Sequence, residues 1–420
     1  LYEQLDRKED LIRTLTVRVG LTPDYLEKVT LQLKAGKVLA GIDGERALVA
    51  YRQVLEFDDA NVEALTALSQ LHEGRGEWED LLGVLGRLAS LNPAEEVLIR
   101  VRMAGILEEK VKDPSRAIQA WEDVLSLEAT HSVALDHLQD LYGSMENWKG
   151  LAAVYERLLD LSSSNPDRIL FCNRLAVLFE SALDDKARAL SYWQQILDID
   201  PEDDEAFETC ARLLTELEDW NELVNLLEGR VIREPEAGRK AGVLRRIADV
   251  YEKRLEDLNS AVSVYQRILD IEPGDALAYS DLSRLFEAME SWEDVVQTLL
   301  RWKEHVEDTH ETAALMLRAA TIVHQRLENP DRALKLLGDV LRLDPGSDAA
   351  AERMRQIYGE LEDWEKVAEI WLKQEAAAAR DEAKAKLRAS AGDVFMNRLK
   401  DRQRAIQHYE RALELDPRLP

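Results

Sequence analysis

The chain has 420 residues, a mass of 47.8 kDa and a formal charge of -28, from 54 Lys plus Arg against 82 Asp plus Glu. So acidic a surface repels phosphate backbones and anionic membranes, and no apolar run approaches the roughly 20 residues that span a bilayer. Two cysteines exclude a disulfide scaffold and a cysteine-based zinc site, and a chain that is 46% hydrophobic and 32% charged is expected to fold.

The chain repeats itself. An alanine inside an Arg-Ala or Ser-Ala pair recurs at Ala47, Ala117, Ala189, Ala261, Ala333 and Ala405, at spacings of 70, 72, 72, 72 and 72. A tryptophan follows the first five of them after 31 residues, at Trp78, Trp148, Trp220, Trp292 and Trp364. A second alanine follows after 17, at Ala64, Ala134, Ala206, Ala278 and Ala350. In chain order this reads as an incomplete N-terminal repeat over 1–42, five units over 43–112, 113–184, 185–256, 257–328 and 329–400, and an incomplete repeat over 401–420. The chain opens inside what reads as a third helix, with Lys8 where a tryptophan would stand, and closes one helix into a new unit. Neither end carries a polar cap, so a fragment of a longer array is expected.

Each unit reads as four short helices. In the unit from 185 to 256 the first helix is KARALSYWQQILDI, whose Ala189, Trp193, Ile196 and Leu197 form one apolar stripe. It ends at Asp200-Pro201, because proline cannot continue a helix and turns the preceding residue away from helical geometry. The second helix is DEAFETCARLLTEL, the third begins at Trp220, and the fourth is RKAGVLRRIADVYEKRLE. Cap formers recur at the same period: Asp43, Asp113, Asp185, Asp257, Asn329 and Asp401 before the first helix, and Asn147, Asp219, Ser291 and Asp363 before the third. Pro114 and Pro330 suit the first helical position. Ser291 with Asp294 resembles a capping box, and Glu77 is the poorer cap of its column. SSSNP at 162–166 is a loop, and no stretch alternates as a strand does.

The run AVSVYQRILDIEP, with Ala261, Tyr265, Ile268 and Pro273, resembles a tetratricopeptide repeat. AIQHYERALELDP, with Ala405, Tyr409, Ala412 and Pro417, resembles it more fully. The second half of each unit is similar to a divergent copy, so one unit counts as two repeats of about 34 and 38 residues. Asp59 and Ala129 depart from the pattern where proline belongs, and Gln139 and Arg355 where a small residue belongs in the second helix. The fourth helix keeps the small residue, at Ala104, Ala176, Ala248, Ala320 and Gly392. The tryptophan-rich half-a-tetratricopeptide repeat is also similar, but the Asp-Pro turns and paired alanines favour the tetratricopeptide pattern. The resemblance implies an all-α, right-handed superhelical α-solenoid of about eleven helix-turn-helix pairs, and a role in binding protein or peptide.

Two columns are candidate functional residues. The tryptophans sit in the first turn of a helix beside a cap, where a large ring covers a junction between helices. They read as structural, each worth roughly 3–5 kcal/mol on truncation to alanine if fully buried. Arg102, Arg174, Arg246 and Arg318, two residues before the small residue of the fourth helix, lie about 130° from the apolar stripe and should be solvated. The resemblance places the first helix of each pair along the concave groove, which makes these arginines a ladder of carboxylate-binding groups. The competing reading pairs them with acids of neighbouring helices such as Asp136, Glu208 and Glu352. The Lys–Asn carboxylate clamp of chaperone-binding relatives is absent: its positions hold Thr66 and Gln70, Asp136 and Asp140, Glu208 and Arg212, Ser280 and Arg284, and Glu352 and Gln356.

The histidines fall off a common helix face, AGKVLAG lacks the Lys-Ser/Thr ending of a phosphate loop, and Cys172 and Cys210 lie at apolar positions. Neither catalytic residues, nor a metal, nor a cofactor is expected. The reading is a non-enzymatic scaffold for a protein or peptide partner, without nucleic acid or membrane insertion. The alternatives are a self-assembling structural subunit and the interaction arm of a larger enzyme or regulator. A cytoplasmic address is expected, with the periplasm as the alternative.

Overall fold

The computed structural model describes residues 7–419, so Leu1 and Pro420 lie outside the described residues. These fold into twenty-three α-helices, with no strand among the described residues. The chain forms two compact units that divide between Leu213 and Leu214, inside the twelfth helix.

The first unit contains α1 (Lys8–Leu21), α2 (Tyr25–Ala40), α3 (Gly44–Phe57), α4 (Val62–Arg75), α5 (Trp78–Leu91), α6 (Glu96–Ile106, extended by a π turn over Leu107–Val111), α7 (Pro114–Leu127), α8 (Ser132–Ser144), α9 (Trp148–Leu161), α10 (Asn165–Ser181), α11 (Lys186–Ile199) and most of α12 (Asp204–Glu216). The second contains α13 (Trp220–Arg233), α14 (Ala237–Lys253), α15 (Leu258–Ile271), α16 (Ala276–Ala288), α17 (Trp292–Trp302), α18 (Thr309–Gln325), α19 (Pro330–Leu343), α20 (Asp348–Glu360), α21 (Trp364–Ala377), α22 (Asp381–Asn397) and α23 (Arg402–Leu415). From α1 to α11, and from α13 to α23, each helix packs on its neighbours in sequence.

The alanine columns are the closest points of this packing. Ala47, Ala117, Ala189, Ala261, Ala333 and Ala405 have no exposed surface, and neither do Ala64, Ala134, Ala206, Ala278 and Ala350. A larger side chain at these points would hold the helices apart. Two helix glycines, Gly36 of α2 and Gly392 of the fourth-helix column, work against a ring. A Cβ on Gly36 would stand 2.7 Å from the Tyr51 ring, and one on Gly392 would stand 2.8 Å from the Tyr409 ring. Thus α2 seats on α3, and α22 on α23, by placing backbone against an aromatic face.

The caps behave as short acceptors should. Asp43, Asp113, Asp185, Asp257, Asn329 and Asp401 each accept from a backbone N–H of the helix that follows. Asn147, Asp219 and Asp363 do the same ahead of the tryptophan helices. Ser291 makes no side-chain cap bond, which corrects the capping-box reading: the Asp294 backbone carbonyl instead accepts from Thr298, at 2.7 Å. Glu77 caps nothing either, since its carboxylate is held by His72 Nδ1 at 2.7 Å and Arg75 Nε at 2.8 Å.

From α4 onward, both turn types that lead from an even-numbered to an odd-numbered helix hold a left-handed residue, whereas the α2–α3 turn, with Gly41 at φ -91°, has none. Glu146, Glu218, Glu290 and Glu362 hold φ of 54–57° two residues before a tryptophan, where the first unit uses Gly76. Lys112, Asp184, Glu256, Glu328 and Lys400 hold φ of 49–58° just before the aspartate or asparagine cap. At Glu290 the pattern is a Schellman turn: Ser291 N–H donates to Phe286 O at 2.9 Å and Glu290 N–H to Glu287 O at 3.1 Å.

Candidate functional site

The even-numbered helices include the fourth helix of every unit, and the clefts between them are the candidate site. In the first unit, α4, α5 and α6 enclose a cleft of about 400 Å³. Val62 and Leu98 stand on its walls at 45% and 70% exposure, and Leu85 and Leu88 lie beneath them. Thr66, Ser69, Asn92, Glu95 and Arg102 supply its polar groups. Leu98 and Arg102 are one helical turn apart, so they share a face of α6. An exposed leucine beside an arginine suits an apolar side chain followed by a carboxylate.

Arg102 donates to Glu73 Oε2 at 2.6 Å, and Arg318 to Glu287 Oε1 at 2.6 Å. Arg174 donates to Gln139 Oε1 at 3.2 Å and lies over the Tyr155 and Phe171 rings, at 5.5 and 5.7 Å. Arg246 is half-buried on α14. Arg102 and Arg318 therefore pair with the last turn of an even-numbered helix, whereas Glu352, named among the candidate partners, pairs with Arg355. The reason is register: Thr66 and Ser69 line the same cleft as Arg102, whose guanidinium reaches on to Glu73, one turn beyond Ser69.

The corresponding place in the second unit is a larger cleft of about 520 Å³, among α20, α21 and α22. Its lining is different: Asp348, Gln374, Arg380 and Lys386 stand among small residues. Beneath it, Gln374 Nε2 donates to Asp348 Oδ1 at 2.8 Å, and Arg355 donates to Gln374 and to Glu352. The Arg355 guanidinium lies 3.5 Å from the Trp371 ring centre. This explains how a large residue occupies the small-residue column: Arg355 is buried, but its guanidinium meets a ring and two acceptors.

All five tryptophans of the column are half-buried, so the full-burial condition for a 3–5 kcal/mol loss is not met. Arg254, Arg326 and Arg398 lie over Trp220, Trp292 and Trp364 at 4.9, 4.7 and 4.5 Å from the ring centres. These arginines stand 34 residues after each tryptophan, a column that the sequence displays and the sequence reading missed.

A second missed column is the acid that follows the tryptophan. Arg116 grips Glu79 at 2.8 and 3.0 Å, Arg332 grips Glu293 at 2.7 and 3.0 Å, and Arg404 grips Glu365 at 3.0 and 2.8 Å. Arg46 reaches Glu9 with Nη1 alone, which donates to the two carboxylate oxygens at 3.0 and 3.3 Å. The arginine beside Glu79 and beside Glu293 holds each carboxyl below the usual carboxylate range. These pairs join successive odd-numbered helices.

His72, Glu77 and Asp80 bring ligand-type atoms within 4.8 Å of one another, the nearest approach to a metal-binding group among the described residues. Arg75 already occupies one Glu77 oxygen there, so a cation would face a guanidinium. His131 caps α8 by accepting from Ala134 N–H at 3.2 Å, and His137 stacks on Trp121 at 4.5 Å. Burial pushes the Cys172 thiol up and the Cys210 thiol up to about 12, which leaves neither as a nucleophile at neutral pH. No helix among the described residues is long and apolar enough to cross a membrane.

Residues 385–419 match the tetratricopeptide repeat family. The matched stretch runs through α22 and α23, so the recognised repeat joins the fourth helix of one 72-residue unit to the first helix of the next. The described residues form a tandem array of helix pairs, all-α throughout, of which this pair matches the family. No curated protein matches it. Solved structures similar to it include a Naa15/Naa10 complex bound to HypK-THB, at 14% identity over 98% of this chain and 68% of that one, TM-score 0.32. Yeast Tom70 is similar at 13% identity over 94% and 93%, TM-score 0.26. YrrB, described as a protein with an unusual peptide-binding site, is similar at 18% identity over 48% and 98%, TM-score 0.26.

Proposed function

We propose that the chain is a non-enzymatic protein-interaction scaffold that holds a peptide or helix of a partner in the clefts between its even-numbered helices. The observation that carries this reading is the cleft of α4, α5 and α6, where Leu98 and Val62 stay exposed above the buried Leu85 and Leu88. Exposed leucine in a concave, partly polar cleft is the arrangement that takes an apolar anchor of a partner. Arg102 at the rim supports a carboxylate near that anchor, in competition with Glu73. Arg174, Arg246 and Arg318 extend the same role along the array. The cleft of α20, α21 and α22 has a more polar lining, and a different stretch of the partner is assigned to it.

The test compares the full chain with a Val62→Asp, Leu98→Asp variant in pull-downs from the source lysate, read by mass spectrometry. Both residues are exposed, so the variant should keep its circular dichroism and melting profile. Loss of a specific protein from the variant supports the cleft as the binding surface. Recovery of the same proteins by both chains overturns it.

A further inference from the structure

The odd-numbered helices contain their own template for a second binding event. At four joints the acid after the first residue of one odd-numbered helix receives an arginine from the next, two-pronged at all but the first: Glu9 with Arg46, Glu79 with Arg116, Glu293 with Arg332 and Glu365 with Arg404. At the joint of α13 and α15 both halves are gone, replaced by Asn221 and Ser260. There Arg267 grips Glu228 instead, at 2.6 and 2.8 Å. Losing the acid and the arginine together is what a purely structural pair should do.

The joint of α9 and α11 breaks that rule. Arg188 is kept, but Lys149 stands in the acid's place. Lys149 is exposed and makes no ion pair or side-chain hydrogen bond among the described residues. The nearest carboxylate oxygens to Arg188 are those of Glu156, 3.9 Å from Nη1, and Asp185, 3.8 Å from Nε, both too far for a hydrogen bond. Each of these acids is engaged elsewhere: Glu156 accepts from Tyr192 OH at 2.9 Å, and Asp185 accepts from the Arg188 backbone N–H at 3.0 Å as the cap of α11. The guanidinium lies over the Phe179 ring at 5.0 Å and its side chain is 61% exposed. Between the two cations opens a cleft of about 340 Å³, floored by Ala152, Phe179 and Leu183, with Glu156 and Asp185 also on its lining.

We propose that the Lys149–Arg188 cleft docks an acidic side chain of a protein partner, which supplies from outside the carboxylate that Glu79 supplies to Arg116 within the chain. A carboxylate offers two coplanar oxygens to the arginine fork, and the lysine adds a point charge beside it. The apolar floor takes the methylene stem that brings the carboxylate in, which an inorganic anion lacks. Its two cations stand on the odd-numbered α9 and α11, and the surface is separate from the cleft of α4, α5 and α6.

The test measures fluorescence anisotropy of labelled hexaglutamate on the full chain, with labelled hexaglutamine as control. Hexaglutamate should bind and hexaglutamine should not. Lys149→Glu should weaken binding by roughly tenfold or more, because the new carboxylate takes Arg188 as Glu79 takes Arg116. The same variant should melt no lower than the wild-type chain. Arg188→Gln gives an independent reading of the same site if Lys149→Glu folds poorly. Unchanged affinity in both variants overturns the proposal. So does displacement of the peptide by sulfate at matched ionic strength, which would mark a simple anion site.

Discussion

The nine non-glycine residues with φ between 49° and 58° are the least expected local feature of the chain. Glutamate carries no preference for the left-handed region, where its Cβ crowds the following carbonyl, and glycine is the usual residue at this point of a Schellman turn. The turn is held by the packing on either side, and only Gly76 relieves the cost. Glu290→Gly should therefore raise stability by about 0.5 kcal/mol, the relief of strain exceeding the entropy that glycine adds to the unfolded chain. Glu290→Val should lower it by roughly 1–2 kcal/mol, because a branched Cβ fits this region worst. Urea midpoints of the two variants check the pair, and the reverse order would contradict the assigned turn.

At the scale of helices, the same residue type does opposite work according to what stands opposite. Gly36 in α2 faces the Tyr51 ring at a distance no Cβ tolerates, and Tyr51 is itself buried. Gly338 in the middle of α19 has nothing within 4 Å of an added Cβ. Gly36→Ala should lose about 1–2 kcal/mol through forced displacement of the ring, despite the better helix propensity of alanine. Gly338→Ala should gain about 0.5–1 kcal/mol from propensity alone. Thermal melts of both variants decide this, and equal shifts would mean that the α2–α3 contact is looser than described. The arginine–glutamate pairs between odd-numbered helices are exposed and individually weak, so their value lies in fixing register rather than in stability.

At the scale of the whole chain, an excess of 28 negative charges sits on an array whose stability is a sum over repeats and their interfaces. Self-repulsion of that charge opposes folding, and salt screens it over about 8 Å at physiological ionic strength. Raising sodium chloride from about 0.01 M to about 0.15 M should therefore raise the melting temperature. Screening of the surface ion pairs works the other way, but such pairs contribute little each. A fall in melting temperature would show that the ion-pair columns outweigh the net charge.

The sequence by itself determined the period, the four helices of each unit, the Asp and Asn caps and the buried alanine columns. These are local or periodic properties: a cap needs one oxygen at one position, and an alanine at a helix crossing is legible because it recurs. The tertiary structure decided what faces what. It paired Arg102 and Arg318 with Glu73 and Glu287, set arginines over three of the tryptophans, and left Leu98 in an open cleft while its leucine neighbours are buried. It also separated Arg188, which has no acid within hydrogen-bond reach, from Arg116, which has one. Apart from the arginine–tryptophan contacts, which join adjacent helices, these facts depend on the register between helices that are two apart in the chain. That register follows from how each helix seats on the one between them, and no periodicity within a single helix contains it.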